Sequence, residues 1–330
     1  MHRNTLLFII FFLQLPFATP APGDRTLQGP AFSDPTFVVP MPKSWIEAPI
    51  TRTVEARGAT VAMVMEQHLH YGLLPLIQAY AKPRGLNVAV TEGTCGLAMG
   101  LLNRKAVDVG GFCCPPTAAD RLPGLRYHTV GITPLAILVH PDNPVDSLIL
   151  EEVQGLFDGR ITNWSRVKAA AGTGFSLPVK PIARLHCKTR PGHWRLILDE
   201  ENLFSPQLTE VGTIPDMVAT VAKHPGAIGY EETWIAVDKN RSQGPIKTVR
   251  VNGFSDTDGE ALARGDFPFY HVQNITSWTG PGPASQEATQ LVQHLLDNAG
   301  RVAPEFHMVP HRLLRRAGWR FEYDELVGPP

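Results

Sequence analysis

From Val54 onward, short runs of apolar and β-branched residues alternate with stretches whose apolar residues recur every three or four positions. This alternation constrains the fold more than any other feature of the chain. Residues 61–65 read as a strand. Residues 73–81 read as a helix, with Leu73, Leu76, Ile77 and Tyr80 on one face. Further strands are expected at 87–90, 107–109, 135–139, 179–183 and 227–230. Further helices are expected at 97–102, at 150–157 (ending on Gly159) and over Ala288, Leu291, Val292, Leu295 and Leu296, stopped by Gly300. Strands alternating with helices imply an α/β fold with mainly parallel sheets, in which ligands gather where strands end and helices begin.

The N-terminus is different in kind. Met1-His2-Arg3 supplies a short positive start, residues 6–17 are almost wholly apolar, and the small residues Ala18, Thr19 and Ala21 follow. This is the layout of a signal peptide over 1–21, and the run is short for a membrane span. No cysteine lies near the boundary to carry a lipid anchor. The expected location is therefore periplasmic or secreted. Residues 22–50 carry Pro30, Pro35, Pro40, Pro42 and Pro49 and read as an extended surface arm.

The 330 residues suit two domains, and 43% apolar with 18% charged residues is an ordinary globular mixture. A formal net charge of −1 argues against a dedicated nucleic-acid surface, which needs a basic excess. A monomer is expected.

One segment is distinctive: His140-Pro141-Asp142-Asn143-Pro144-Val145, then Leu150-Glu151-Glu152-Val153, then Phe157-Asp158-Gly159-Arg160-Ile161-Thr162-Asn163-Trp164. It resembles the phosphate-binding (PstS-like) proteins of ABC transporters, whose matching turn reads Gly-Lys-Ile-Thr-Asn-Trp. Val107-Asp108-Val109-Gly110, Gly226-Ala227-Ile228-Gly229-Tyr230 and Phe267-Pro268-Phe269-Tyr270 resemble other segments of that family in order and spacing. The resemblance covers roughly residues 53–310 and implies a type II periplasmic-binding fold. Lobe 1 would comprise 51–134 plus 229–330, and lobe 2 would comprise 135–228. A small ligand would sit in the cleft between them, and an ABC permease or membrane sensor would read the closed form.

The family holds phosphate with four loops, and each has a counterpart here. Where the family has Gly-Ser-Thr-like residues, this chain has His68-Leu69-His70-Tyr71-Gly72. Gly-Ser-Gly is replaced by Gly93-Thr94-Cys95-Gly96, and Ser-Ser-Arg by Phe112-Cys113-Cys114-Pro115. Gly-Ser-Gly-Thr-Arg is replaced by His186-Cys187-Lys188-Thr189-Arg190, which keeps only Thr189 and Arg190. By this correspondence all four cysteines fall in ligand loops, with His68, His70 and His186 beside them. Thiolate and imidazole suit transition metals and thiophilic species better than a hard oxyanion. The expected ligand set is therefore His70, Thr94, Cys95, Cys113, Cys114, His186, Cys187, Thr189 and Arg190; a metal would take His68, His70, Cys95, Cys113, Cys114, His186 and Cys187. No cofactor is fixed by the sequence; a bound transition metal is the one these loops could hold.

Other readings stay open. The cysteines could pair as disulfides, for instance Cys95 with Cys113 or Cys187, or serve as small reduced side chains; Cys113 and Cys114 are poorly placed to pair with each other. Phosphate or a related oxyanion remains an alternative ligand through Thr94, Thr189, Arg190 and backbone N–H groups. A Cys/His metal or redox enzyme is a further alternative, but no nucleophile–base–orienter set is visible, so a binding protein that is not an enzyme is expected. His193 and Trp194 read as packing residues. His128, His140, His224, His271, His294, His307 and His311 read as structural.

Overall fold

In the computed structural model, residues 29–280 and 282–330 are described. The expected signal segment and the first part of the arm lie outside them. Among the described residues, no helix is long and apolar enough to cross a membrane.

The elements in chain order are α1 (Lys43–Glu47), β1 (Val61–Glu66), α2 (Gln67–Ala81), β2 (Val88–Gly93), α3 (Cys95–Asn103), β3 (Val109–Phe112), β4 (Leu125–Val139), β5 (Ser147–Leu148), α4 (Leu150–Asp158), β6 (Lys180–Ala183), β7 (Thr209–Glu210), α5 (Ile214–Lys223), β8 (Ala227–Glu232), β9 (Lys247–Val251), α6 (Gly259–Arg264), β10 (Tyr270–Trp278), α7 (Gln286–Asp297), β11 (Val309–Pro310), α8 (His311–Arg316), β12 (Arg320–Glu322) and β13 (Glu325–Gly328). The alternating pattern thus becomes a mixed α/β fold.

The main sheet runs β2-β1-β3-β10-β4-β8-β6-β7. Its outer pairs, β1 with β2 and β3, and β6 with β7 and β8, are parallel. Its middle is antiparallel, through β10 with β3 and β4, and β4 with β8. The long strand β4 serves both halves. Residues Leu125 to Pro134 pair with β10, whereas Leu135 to Val139 pair with β8. The change of partner therefore falls between Pro134 and Leu135.

Each half has its own core. Val61, Met63 and Met65 of β1 pack with Leu69, Leu73 and Ile77 of α2 and with Leu291 and Leu295 of α7. The other half gathers Val153, Phe157, Trp164, Trp194, Ile228 and Tyr230. The Ile161-Thr162-Asn163-Trp164 segment is a packing device: Trp164 is fully buried and its Nε1–H donates to the Gly226 carbonyl at 2.9 Å. Its indole both fills the core and satisfies its polar edge, as buried Trp requires. Gly159 closes α4 in the left-handed region at φ 85°, a conformation glycine adopts without steric cost.

Three elements differ from the sequence expectation in ways that matter for the site. Helix α2 begins at Gln67, so His68 to Gly72 form its first turns rather than a loop. The Glu66 side chain accepts the Leu69 N–H at 2.8 Å and starts the helix there. Helix α3 begins at Cys95 because Thr94 Oγ1 accepts the Leu97 N–H at 3.1 Å. His193, read from the sequence as a packing residue, begins a short 3-10 turn, His193–Leu196.

Candidate functional site

A cleft of about 290 Å³ opens where strand ends from both halves of the sheet meet. Glu66 ends β1, Gly93 ends β2, Cys113 follows β3, Arg184 and His186 follow β6, and Glu231 and Glu232 end β8. Every one of these strands delivers its C-terminal end, the edge where open α/β sheets bind ligands. Helices α2, α3 and α5 aim their N-termini at the same place, capped by Glu66, Thr94 and Thr213.

The cysteines and histidines converge on this cleft. Cys113 Sγ lies 3.3 Å from Cys95 Sγ, 4.0 Å from Cys114 Sγ and 3.3 Å from His193 Nε2. Among the described residues, two donor groups fit a metal ion: Cys113, Cys114 and His193, and His186, Cys187 and His193. His193 belongs to both. All four thiols are free; Cys95, Cys113 and Cys114 are buried and Cys187 is partly exposed.

The loop after β6 is bent to make this meeting. Cys187 and His193 both adopt positive φ, 55° and 51°, which is unusual for residues with a side chain. Such strain clusters where geometry serves function. At Gly192 a Cβ would stand 2.6 Å from Cys114 Sγ, so only glycine lets the loop approach the cysteine pair.

Burial and mutual hydrogen bonding set the protonation of the cluster. Hydrogen bonds from Cys113 and Cys114 hold the Cys95 thiol well below its usual range. Cys113 is pushed well up by its bonds to Cys114 and Cys95 and by burial. Burial raises Cys187 to about 11. Burial, then the neighbouring His271 and His186, drives His193 well below the usual imidazole value, so its ring is neutral and free to ligate.

The groups that would hold an oxyanion are already occupied. Arg190 donates both guanidinium nitrogens to Asp120, each at 2.9 Å, and the pair is buried. Arg190 and Thr189 line a different cavity, beside Phe32 and Ser33 of the N-terminal arm. Arg184 is ion-paired with Glu231. At the α2 N-terminus the Leu69 N–H is taken by the Glu66 carboxyl, which burial pushes well above the usual carboxylate range. Thr94 caps α3 with its hydroxyl while still lining the cleft.

The model of the PBP superfamily domain matches residues 51–289. This chain belongs to the PBP superfamily. Its fold is shared by an ABC-type phosphate transport receptor from Vibrio cholerae at 18% identity, over 79% of this chain and 100% of that one, with a TM-score of 0.57. It is also shared by a putative phosphate ABC transporter substrate-binding protein with bound phosphate from Clostridium perfringens, at 14% identity, over 76% and 98%, with a TM-score of 0.61. These agree with the PstS-like resemblance and with the type II periplasmic-binding architecture.

Within this PBP-superfamily chain, the structure brings Cys95, Cys113, Cys114, His186 and Cys187 together and sets other expected residues apart. His70 lies on α2 with its ring against Tyr71, 5.1 Å between centroids, and does not line the cleft. His68 does line it, but its Nδ1 is bound to Glu232 Oε2 at 2.5 Å. Sequence reasoning passed over His193, Glu66, Glu231, Glu232 and His271. His271 Nδ1 bonds the same Glu232 oxygen at 2.9 Å, so one carboxylate holds two imidazoles. The available signal was position: Glu231 and Glu232 directly follow the Gly226-to-Tyr230 segment, at a strand's C-terminal end.

Proposed function

We propose that this chain is an exported solute-binding protein whose cleft takes a thiophilic transition-metal ion, and that it presents the loaded form to a membrane permease or sensor. One observation carries the reading: Cys113 and His193 meet in the cleft wall with Cys114 buried beside them and His186 and Cys187 flanking, while Arg184 and Arg190 are ion-paired to the chain's own carboxylates. Two thiols and an imidazole match the preferences of Zn²⁺ or Cu⁺. In the wall, Glu231 is matched by Arg184, and burial pushes the Glu66 and Glu232 carboxyls up, so the thiol and imidazole donors rather than net wall charge select the ligand. The donors come from both sides of the Pro134–Leu135 changeover, Cys113 and Cys114 from one and His193 from the other. An ion bound to both would favour closure of lobes 51–134 plus 229–330 and 135–228. The role is binding rather than catalysis.

Phosphate is the second reading. It is favoured by the solved structures of like fold, both described as phosphate transport components, and by the three helix N-termini at the cleft. Elemental analysis of the reduced protein after Zn²⁺ loading and gel filtration separates the two readings. The metal reading expects one Zn²⁺ per chain; Zn²⁺-free protein that retains phosphate would replace it with the oxyanion.

A further inference from the structure

Cys95 belongs to neither donor group, yet it touches Cys113, a donor of the first. It opens α3, lines the cleft and is 3% exposed. Its sulfur lies 3.3 Å from Cys113 Sγ and accepts the Cys113 backbone N–H at 3.4 Å, which holds it against the loop after β3. A disulfide needs an S–S distance of about 2.05 Å, so side-chain rotation over a short path would close the bond. Cys113 and Cys114 are adjacent, and adjacent residues resist pairing.

We propose that Cys95 and Cys113 form a reversible disulfide that switches off the cation site of the cleft. The inference rests on the metal reading given above. Cys113 has two roles in the reduced protein: it is a donor beside Cys114 and His193, and its contact with His193 spans the cleft. A sulfur in a disulfide carries no thiolate charge and is a poor ligand, so oxidation removes both roles in one step.

The oxidant is a low-molecular-weight disulfide. The Cys95 thiol, which lines the cleft, attacks it, its S–S bond breaks, a mixed disulfide forms on Cys95 and one small thiol leaves. The second cleft thiol then attacks the protein sulfur of the mixed disulfide and expels the second small thiol. Two protein thiols lose two electrons in total, the small disulfide gains them, and both protons leave on the small thiols. A dithiol reductant reverses the exchange.

The test treats the protein with oxidised glutathione, counts free thiols, maps the linkage by peptide mass spectrometry and measures Zn²⁺ affinity by chelator competition. The expected result is a fall from four free thiols to two, a Cys95–Cys113 linkage, and a loss of Zn²⁺ affinity on the order of 100-fold or more, beyond the effect of losing an outer-shell partner. Dithiothreitol restores binding, and Cys95→Ser binds Zn²⁺ equally before and after oxidant. Four surviving thiols, a different linkage, or a Cys95–Cys113 bond that leaves Zn²⁺ affinity unchanged would overturn the switch. If the linkage forms but the reduced protein takes no Zn²⁺, the metal reading fails, and the gating role fails with it while the thiol exchange stands.

Discussion

Cys113 Sγ and His193 Nε2 stand 3.3 Å apart and join the two halves of the cleft. Cys113 follows β3, on one side of the point where β4 changes partners. His193 follows β6, on the other side. A ligand that binds both residues is held by both halves at once, and binding is thereby linked to closure.

His193 is the donor shared by both candidate groups, so its loss should cost most. His193→Ala is expected to lower Zn²⁺ affinity by more than about 100-fold, and Cys187→Ser by less, because Cys187 serves only the second group. Chelator competition on the reduced variants measures both. Equal effects would mean that the two groups are not alternatives around one histidine.

Arg190 is held by Asp120 and lines a cavity other than the cleft. Arg190→Ala leaves Asp120 buried and unpaired, which should cost about 3–5 kcal/mol in urea unfolding. Asp120→Asn combined with Arg190→Gln should recover part of that loss, since no lone charge remains. A stable Arg190→Ala protein would show that Asp120 finds another partner.

Burial lowers the His271 pKa to about 4, below the value near 6.5 expected when unfolded; Glu231 and the Cys95 thiolate oppose that shift and Arg184 adds to it. Its partner Glu232 and the neighbouring ring of His193 complete its surroundings. The unfolded chain binds the proton first as pH falls. This group's stabilising effect is therefore fully present above pH 6.5 and is lost on the way down to about 4. His271→Asn keeps an N–H for Glu232 and cannot titrate. Its unfolding free energy should fall less steeply over that window, by up to about 1.4 kcal/mol per pH unit. Identical slopes for variant and parent would remove His271 from the pH response.

Trp164 carries the most recognisable sequence segment and touches no part of the cleft. Trp164→Ala should destabilise the chain by about 3–5 kcal/mol through the large cavity it leaves and the loss of the bond to the Gly226 carbonyl. Zn²⁺ affinity of the folded fraction should be unaffected. A change in affinity would assign this segment a role at the site.

The strands and helices that read clearly in the sequence are those whose apolar residues follow a period, such as β1 and α7. The first part of β4 was hidden because both its faces are buried and one of them is polar. Thr129 donates to Asn274 at 2.7 Å and Thr133 accepts from Gln273 at 2.8 Å, so β4 and β10 pair through a buried polar ladder that leaves no apolar alternation. The start of α2 was hidden because Glu66 caps it, and Glu is not among the usual capping residues. The convergence of cysteines was legible only through the family resemblance, since no local metal-binding spacing marks it. His193 was out of reach for a backbone reason: its φ of 51° turns the imidazole toward Cys113, whereas helical periodicity assigns it to packing.

The decisive measurement is calorimetric titration of the reduced protein with Zn²⁺ and, in a parallel cell, with inorganic phosphate. A thiophilic cation held between Cys113 and His193 requires one Zn²⁺ bound per chain, lost in His193→Ala, and no heat from phosphate. Saturable phosphate binding at one per chain, with no Zn²⁺ bound, would make the cleft an oxyanion site instead.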